Sequence, residues 1–123
     1  MDNPLGYNLK FIGYRRAPRN CLPSRERELF IAELANQNLE KITIRCYNRY
    51  VDEFLRFTLS EYKTTAVNKI PPEAGLRFQQ HVFRDPHIGE STCLYKLRSV
   101  NKWYRWMLEE KIVKHNPFAE IKF

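Results

Sequence analysis

The clearest periodic pattern lies in the segment that follows Asn38. Apolar and aromatic residues recur there at spacings of three and four, which predicts a helix with one buried face. At about 100° per residue, a row of mostly basic side chains lies on the opposite face. The predicted core residues are Tyr47, Tyr50, Val51, Phe54, Leu55 and Thr58, and the opposite row holds Lys41, Arg45, Arg49, Asp52 and Arg56.

A second long segment predicts a helix that begins at Ser91 or Thr92 and ends near Lys111. Trp103 and Trp106 widen its apolar face, so we expect this helix to lie at the centre of the fold. Its other predicted core residues are Leu94, Leu97, Val100, Asn101, Tyr104, Met107 and Leu108.

The same helix carries a basic face. Arg98, Lys102 and Arg105 lie within about 60° of each other around the helix axis, away from the apolar side chains. No Asp or Glu occurs from Ser91 to Leu108. This segment therefore predicts a positively charged surface.

Two shorter helices complete the pattern. Ser24 follows a proline and is a good N-cap for a helix that ends near Asn36. The run Ile70-Pro71-Pro72-Glu73 starts another helix, because proline is tolerated in a first helical turn. This helix is expected to end near Phe83 and to bury Leu76, Val82 and one of Phe78 and Phe83.

These elements predict an all-α domain, a small four-helix bundle over residues 24–123, closed by a turn from Asn116 to Ile121. No long segment has the period of a strand. Residues 1–23 contain several prolines and glycines together with Lys10, Arg15, Arg16 and Arg19. We therefore expect residues 1–23 to form an irregular, basic N-terminal arm.

The charge distribution points to a class of partner. A chain of 123 residues with a net charge of +7 fits one basic domain. The excess is confined to residues 1–24 and 91–123, while the middle is neutral. This asymmetry favours a polyanion, nucleic acid first and an anionic membrane surface second. A basic protein without such a partner is the alternative.

Other function classes lack their sequence signals. No apolar run is long enough for a membrane span or a secretion signal, so we expect a cytoplasmic protein without membrane contact. No spacing of a metal site, nucleotide-binding loop or catalytic triad occurs, so we expect no metal, no cofactor and no catalysis by this chain alone. The cysteines and histidines that lack metal-site spacing are Cys21, Cys46, Cys93, His81, His87 and His115.

Three motifs in order resemble the N-terminal core-binding domain of tyrosine recombinases, the SAM-like domain of phage-type integrases. The first motif runs from Phe30 to Leu34 and continues through Thr43, Tyr47 and Phe54-Leu55-Arg56-Phe57. The second is the helix opened by Ser91-Thr92, and the third is Ile112-Val113-Lys114-His115-Asn116-Pro117-Phe118. The resemblance covers residues 25–123.

The resemblance implies that the chain clamps duplex DNA for integration or recombination, with the second and fourth helices approaching the major groove. It also implies a catalytic domain after Phe123 that supplies the tyrosine nucleophile, and assembly of several copies on DNA. The implied DNA-binding residues are Lys41, Thr43, Arg45, Arg49, Arg56, Ser91, Thr92, Lys96, Arg98, Lys102 and Arg105.

Two residues depart from the family pattern. Glu40 stands where the family often has Ser, and Lys111 stands where it often has Gly. The first departure weakens the expected N-cap of the second helix, and the second weakens a left-handed C-cap. The competing interpretation is a helical protein-interaction module with no DNA role, which would expose Trp103 and Trp106 as an apolar patch.

Overall fold

The computed structural model describes residues 21–123, and the predicted arm lies outside the described residues except for its last three positions. Residues 21–123 contain four α-helices and no strand, which confirms the predicted fold class. The helices are α1 (Arg25–Asn36), α2 (Lys41–Tyr62), α3 (Ala74–Phe83) and α4 (Glu90–Glu109), with a single 3-10 turn at Val67–Lys69.

Phe54 lies at the centre of the core. Its ring contacts Phe78 of α3 at 5.1 Å, Phe118 of the C-terminal turn at 5.4 Å and Tyr104 of α4 at 6.0 Å, measured between ring centroids. Edge-to-face and tilted aromatic contacts of this kind stabilise a core beyond the burial of their area. The Phe54 ring thus joins α2 to α3, to α4 and to the C-terminal turn.

The buried face of α2 agrees with the predicted pattern in part. Val51, Phe54 and Leu55 are fully buried, and so is Thr58. Tyr47 and Tyr50 are only half-buried, because they lie at the edge where α2 meets α4 and pack against Tyr95. Asp52, predicted on the solvent side, is buried.

On α3 the prediction was right for Val82 and wrong for Leu76. Phe78 and Val82 are buried, whereas Leu76 is 52% exposed and Phe83 is 43% exposed. At about 100° per residue, Leu76 lies about 160° from Phe78, so the two cannot face the same core. Glycine is required at position 75, because a Cβ atom there would lie 2.0 Å from the Pro117 carbonyl oxygen.

The ends of α4 differ from the prediction. Gly89 is the N-cap, so Ser91 and Thr92 lie inside the first turn and neither caps the helix. At the other end Lys111 has φ 62°, the left-handed conformation. The Lys111 and Ile112 amides donate to the carbonyls of Leu108 and Met107, which forms a Schellman motif without glycine.

The other flanking residues behave as their chemistry predicts. The Ser24 hydroxyl accepts a hydrogen bond from the Arg27 amide at 3.1 Å and caps α1. Glu40 stands at the N-cap of α2 without a side-chain hydrogen bond. After α4, the Asn116 side chain accepts from the Phe118 amide and donates to Asn101, which forms the predicted final turn.

Candidate nucleic-acid interface

The basic face of α4 lies on the side of the helix away from the core. Val100 and Met107 are fully buried, and Arg98 and Arg105 lie about 140–180° from them around the axis. Both arginines are exposed, and within residues 21–123 neither forms an ion pair. Their guanidinium groups are therefore available to an anionic partner.

Lys102 joins the basic face of α4 to an aromatic cluster at the α2–α4 edge. It is half-buried, and its Nζ atom lies 5.3 Å from the centroid of the Tyr47 ring. Tyr47 in turn packs edge-to-face against Tyr95, and Tyr95 against Tyr50. The cation–π contact positions the Lys102 ammonium without neutralising its charge.

The basic row predicted on α2 is divided by the fold. Lys41 and Arg49 are exposed, while Arg45 is half-buried. Arg56 donates to the Asp52 carboxylate at 2.8 Å, and the same carboxylate accepts the Leu22 amide at 2.7 Å. The hydrogen bond to Asp52 raises the pKa of Arg56. Arg56 is therefore paired with a carboxylate that also binds the Leu22 amide.

The segment before α1 reinforces this pairing. Arg27 is buried, its Nε donates to the Asn48 side chain at 2.8 Å, and another of its nitrogens donates to the Leu22 carbonyl. Leu22 is thus held through its amide by Asp52 and through its carbonyl by Arg27. The segment at Leu22 covers the side of α2 that carries Asp52, so this side cannot be a fully open surface for DNA.

Lys96 does not lie on an open surface. Its residue is 8% exposed, and its Nζ atom forms an ion pair with Glu53 at 3.0 Å. On α4 it lies about 160° from Arg98, on the side that faces α2. Lys96 was predicted to contact DNA, and in the fold its ion pair with Glu53 joins α4 to α2 and leaves little of its side chain exposed.

The three hydroxyl candidates lie in first helical turns. Ser91 and Thr92 are exposed in the first turn of α4, and Thr43 is half-buried in the first turn of α2. Amides of a first turn lack helical partners and favour anions. Ser91 lies about 20° from Arg98 around α4, so it extends the basic face toward the start of the helix.

The two basic surfaces do not merge. Tyr47, which contacts Lys102, lies about 160° from Arg49 around the α2 axis. The tyrosine cluster and the Glu53–Lys96 pair lie between the basic residues of α2 and those of α4. A duplex on α4 would therefore meet the α2 residues only across this edge.

A groove of about 590 Å³ adjoins the basic face of α4, and we call it the α1–α4 groove. Sequence reasoning missed it, because its walls come from α1, α2, α4 and the C-terminus. The position of Trp106, directly after Arg105, was the one available signal. Its lining residues are Phe30, Glu33, Leu34, Gln37, Tyr47, Arg98, Asn101, Lys102, Arg105, Trp106, Glu109 and Phe123.

Tyr50, Tyr95 and Tyr104 keep their hydroxyls protonated at neutral pH. Burial raises the pKa of Tyr104, whose hydroxyl donates to the Val67 carbonyl at 3.2 Å. Burial also raises the pKa of Tyr50 and Tyr95. These three phenols act as packing and hydrogen-bonding groups.

Two further findings concern the part of the chain from residue 21 onward. No three His, Cys, Asp or Glu side chains lie close enough together there to hold a metal ion. None of its helices is both long and apolar enough to cross a membrane.

No protein-family model matches this sequence, and no curated protein or solved structure is significantly similar to it. The geometry of residues 21–123 and the sequence motifs are therefore the basis on which a function is proposed below.

Proposed function

We propose that this chain is a DNA-binding domain that holds duplex DNA on the basic face of α4. The observation that carries the proposal is the exposure of Arg98 and Arg105, which form no ion pair within residues 21–123, with Lys102 between them along the helix. Arginine and lysine on one helix face match the phosphates of a duplex backbone. Ser91 extends that face with a hydroxyl donor, whereas Thr92 lies about 120° from Arg98 around the axis.

The resemblance to tyrosine recombinases extends this proposal. In the extended proposal, this domain is the DNA-clamping half of a site-specific recombinase or integrase. A catalytic domain after Phe123 then cleaves and rejoins the strands. Cleavage needs a nucleophile and a cationic cluster around the reacting phosphate, which the catalytic domain would provide. The clamping domain would only position the DNA. Several copies would then assemble on one DNA site in the cytoplasm.

Anisotropy titration of a labelled duplex at several salt concentrations tests the proposal. Five basic candidates form no ion pair within residues 21–123 and would release counterions from up to about five phosphates: Lys41, Arg49, Arg98, Lys102 and Arg105. We expect log affinity to fall against log salt with a slope of about −4 to −5. Absence of binding to duplex at low salt would contradict a DNA role.

The α1–α4 groove favours the second candidate, a helical protein-interaction module. Trp103 is fully buried and cannot supply the exposed patch, but Trp106 and Phe123 line the groove. An apolar side chain of a partner protein would fit between them. A groove variant that lost a protein partner while the chain failed to bind any nucleic acid would favour this module.

A further inference from the structure

We propose that the α1–α4 groove binds one unpaired nucleotide of a DNA strand. The base enters the groove and its phosphate contacts the basic face of α4. This inference deepens the proposed function and rests on it, because the same Arg98, Lys102 and Arg105 border the groove. It adds a site for single-stranded or locally unpaired DNA beside the duplex surface.

The aromatic lining provides surfaces for a base. Trp106 is half-buried, and its ring packs against Phe30 with centroids 5.5 Å apart and planes tilted by 45°. Phe123 borders the same groove and is 41% exposed. Bases stack on such rings in proteins that bind single strands, because every base has a π face. The groove volume lies within the range of about 300–1,000 Å³ that is usual for small-ligand sites.

The charges of the lining fix the orientation of the nucleotide. The cations of the lining all belong to α4, whereas Glu33 lies on α1 and accepts a hydrogen bond of 3.1 Å from Gln37 at the end of that helix. A phosphate is attracted to the cations of α4 and repelled by the carboxylates of Glu33 and of Glu109, the last residue of α4. Carboxylates accept hydrogen bonds from the exocyclic amino groups of bases. The base edge therefore faces Glu33 and Glu109, and the phosphate faces the cations of α4.

The same charges argue for a nucleotide over an acidic peptide. An acidic segment would bring carboxylates toward Glu33 and Glu109, where like charges repel each other. A nucleotide separates its one anionic group from a neutral base that carries hydrogen-bond donors. A base reaches this groove only when it has left the stack of a duplex, so the site selects unpaired DNA.

The test compares a labelled dC12 oligonucleotide with a labelled hairpin duplex. Trp106→Leu keeps an apolar side chain and removes the stacking surface. We expect this variant to bind dC12 about 5- to 100-fold more weakly than the unaltered protein. Affinity for the duplex should change by less than about twofold. Phe83→Leu is the matched control, because Phe83 is an exposed aromatic residue outside the groove.

A second measurement uses the unaltered protein, so it does not depend on the folding of a variant. A dC12 oligonucleotide with one 5-iododeoxyuridine is irradiated with the protein, and the adducts are mapped by mass spectrometry. Cross-links at Trp106, Phe123 or Tyr47 support the site. Cross-links confined to residues outside the groove lining would overturn it.

The outcomes separate this inference from the proposed function. If the duplex binds and Trp106→Leu leaves dC12 affinity unchanged, the groove site is wrong and the duplex surface stands. If dC12 binds in a Trp106-dependent way while the duplex does not bind, the groove site stands and the duplex role falls. If an acidic peptide displaces dC12 and its own binding depends on Trp106, the groove is a peptide site and the inference is wrong.

Discussion

The basic faces of α2 and α4 have similar sequence patterns and different surroundings. On α4, Arg98 and Arg105 are exposed, and neither has an ion-pair partner within residues 21–123. On α2, Arg56 forms an ion pair with Asp52, and Asp52 also holds the Leu22 amide. A row of cations at helical spacing is therefore not by itself a binding surface.

The difference arises from what packs against each helix. The basic face of α4 lies opposite its contacts with the core and stays in solvent. The corresponding row on α2 borders the start of α1, where Arg27 is buried against Asn48, so Arg56 is paired with Asp52 while Lys41 and Arg49 stay exposed. Pairing with a carboxylate, as in Arg56–Asp52 and Lys96–Glu53, therefore distinguishes these cations from Arg98 and Arg105.

We expect the largest difference between α2 and α4 when the basic side chains of α4 are removed and DNA binding is measured. Replacing Arg98, Lys102 and Arg105 together with Ala should reduce the salt-dependence slope for duplex by about 2–3 units, since each phosphate contact contributes about one. Anisotropy at several salt concentrations measures the slope, and circular dichroism checks the fold.

A matched control removes the same charge elsewhere. Lys69, Arg84 and Lys114 are exposed and lie outside both basic surfaces and the α1–α4 groove. Their joint replacement with Ala should change the slope by less than about one unit. An equal loss of slope in both triple variants would mean that net charge, and not the face of α4, determines binding.

The next effect concerns Asp52, which links α2 to the segment before α1. Asp52→Asn keeps the shape and removes the charge that accepts hydrogen bonds from Leu22 and Arg56. We expect the free energy of unfolding to fall by about 1–3 kcal/mol, because a neutral amide accepts weaker hydrogen bonds from the Leu22 amide and Arg56 than a carboxylate does. Urea denaturation measures the loss, and unchanged stability would contradict the anchoring role of Asp52.

A smaller effect separates Lys96 from Lys102. Lys96→Met should lower the free energy of unfolding by about 1–2 kcal/mol, because it leaves the partly buried Glu53 carboxylate without its cation. The duplex salt slope should stay within about half a unit of the original value. A loss of one full unit would show that Lys96 contacts DNA after all.

The smallest expected effect is that of Arg56→Ala. The Arg56 side chain is 50% exposed, and its pair with Asp52 has the (i, i+4) spacing of a surface ion pair. Such pairs stabilise a helix by about 0.3–0.5 kcal/mol, and we expect a loss of this size on thermal unfolding. If this variant lost as much salt slope as Arg105→Ala, the contrast between the two helices would be wrong.

The sequence by itself determined the helices. The periodicity around Phe54 and Val100 identified α2 and α4, and Ser24 identified the start of α1, because spacing and capping are local properties of the chain. It also identified Arg98, Lys102 and Arg105 as a face away from the core. Lys111 shows the limit of local rules, since it adopts the left-handed cap without being glycine.

Only the tertiary structure decided which cations are free and where the groove lies. Lys96 and Glu53 are 43 positions apart in sequence, and Leu22 and Asp52 are 30 apart. Neither contact can therefore be predicted from the spacing of residues within one helix. The α1–α4 groove likewise combines Phe30 with Trp106. Periodicity describes one helix at a time, whereas ion pairs and grooves form between helices whose relative placement depends on the whole core.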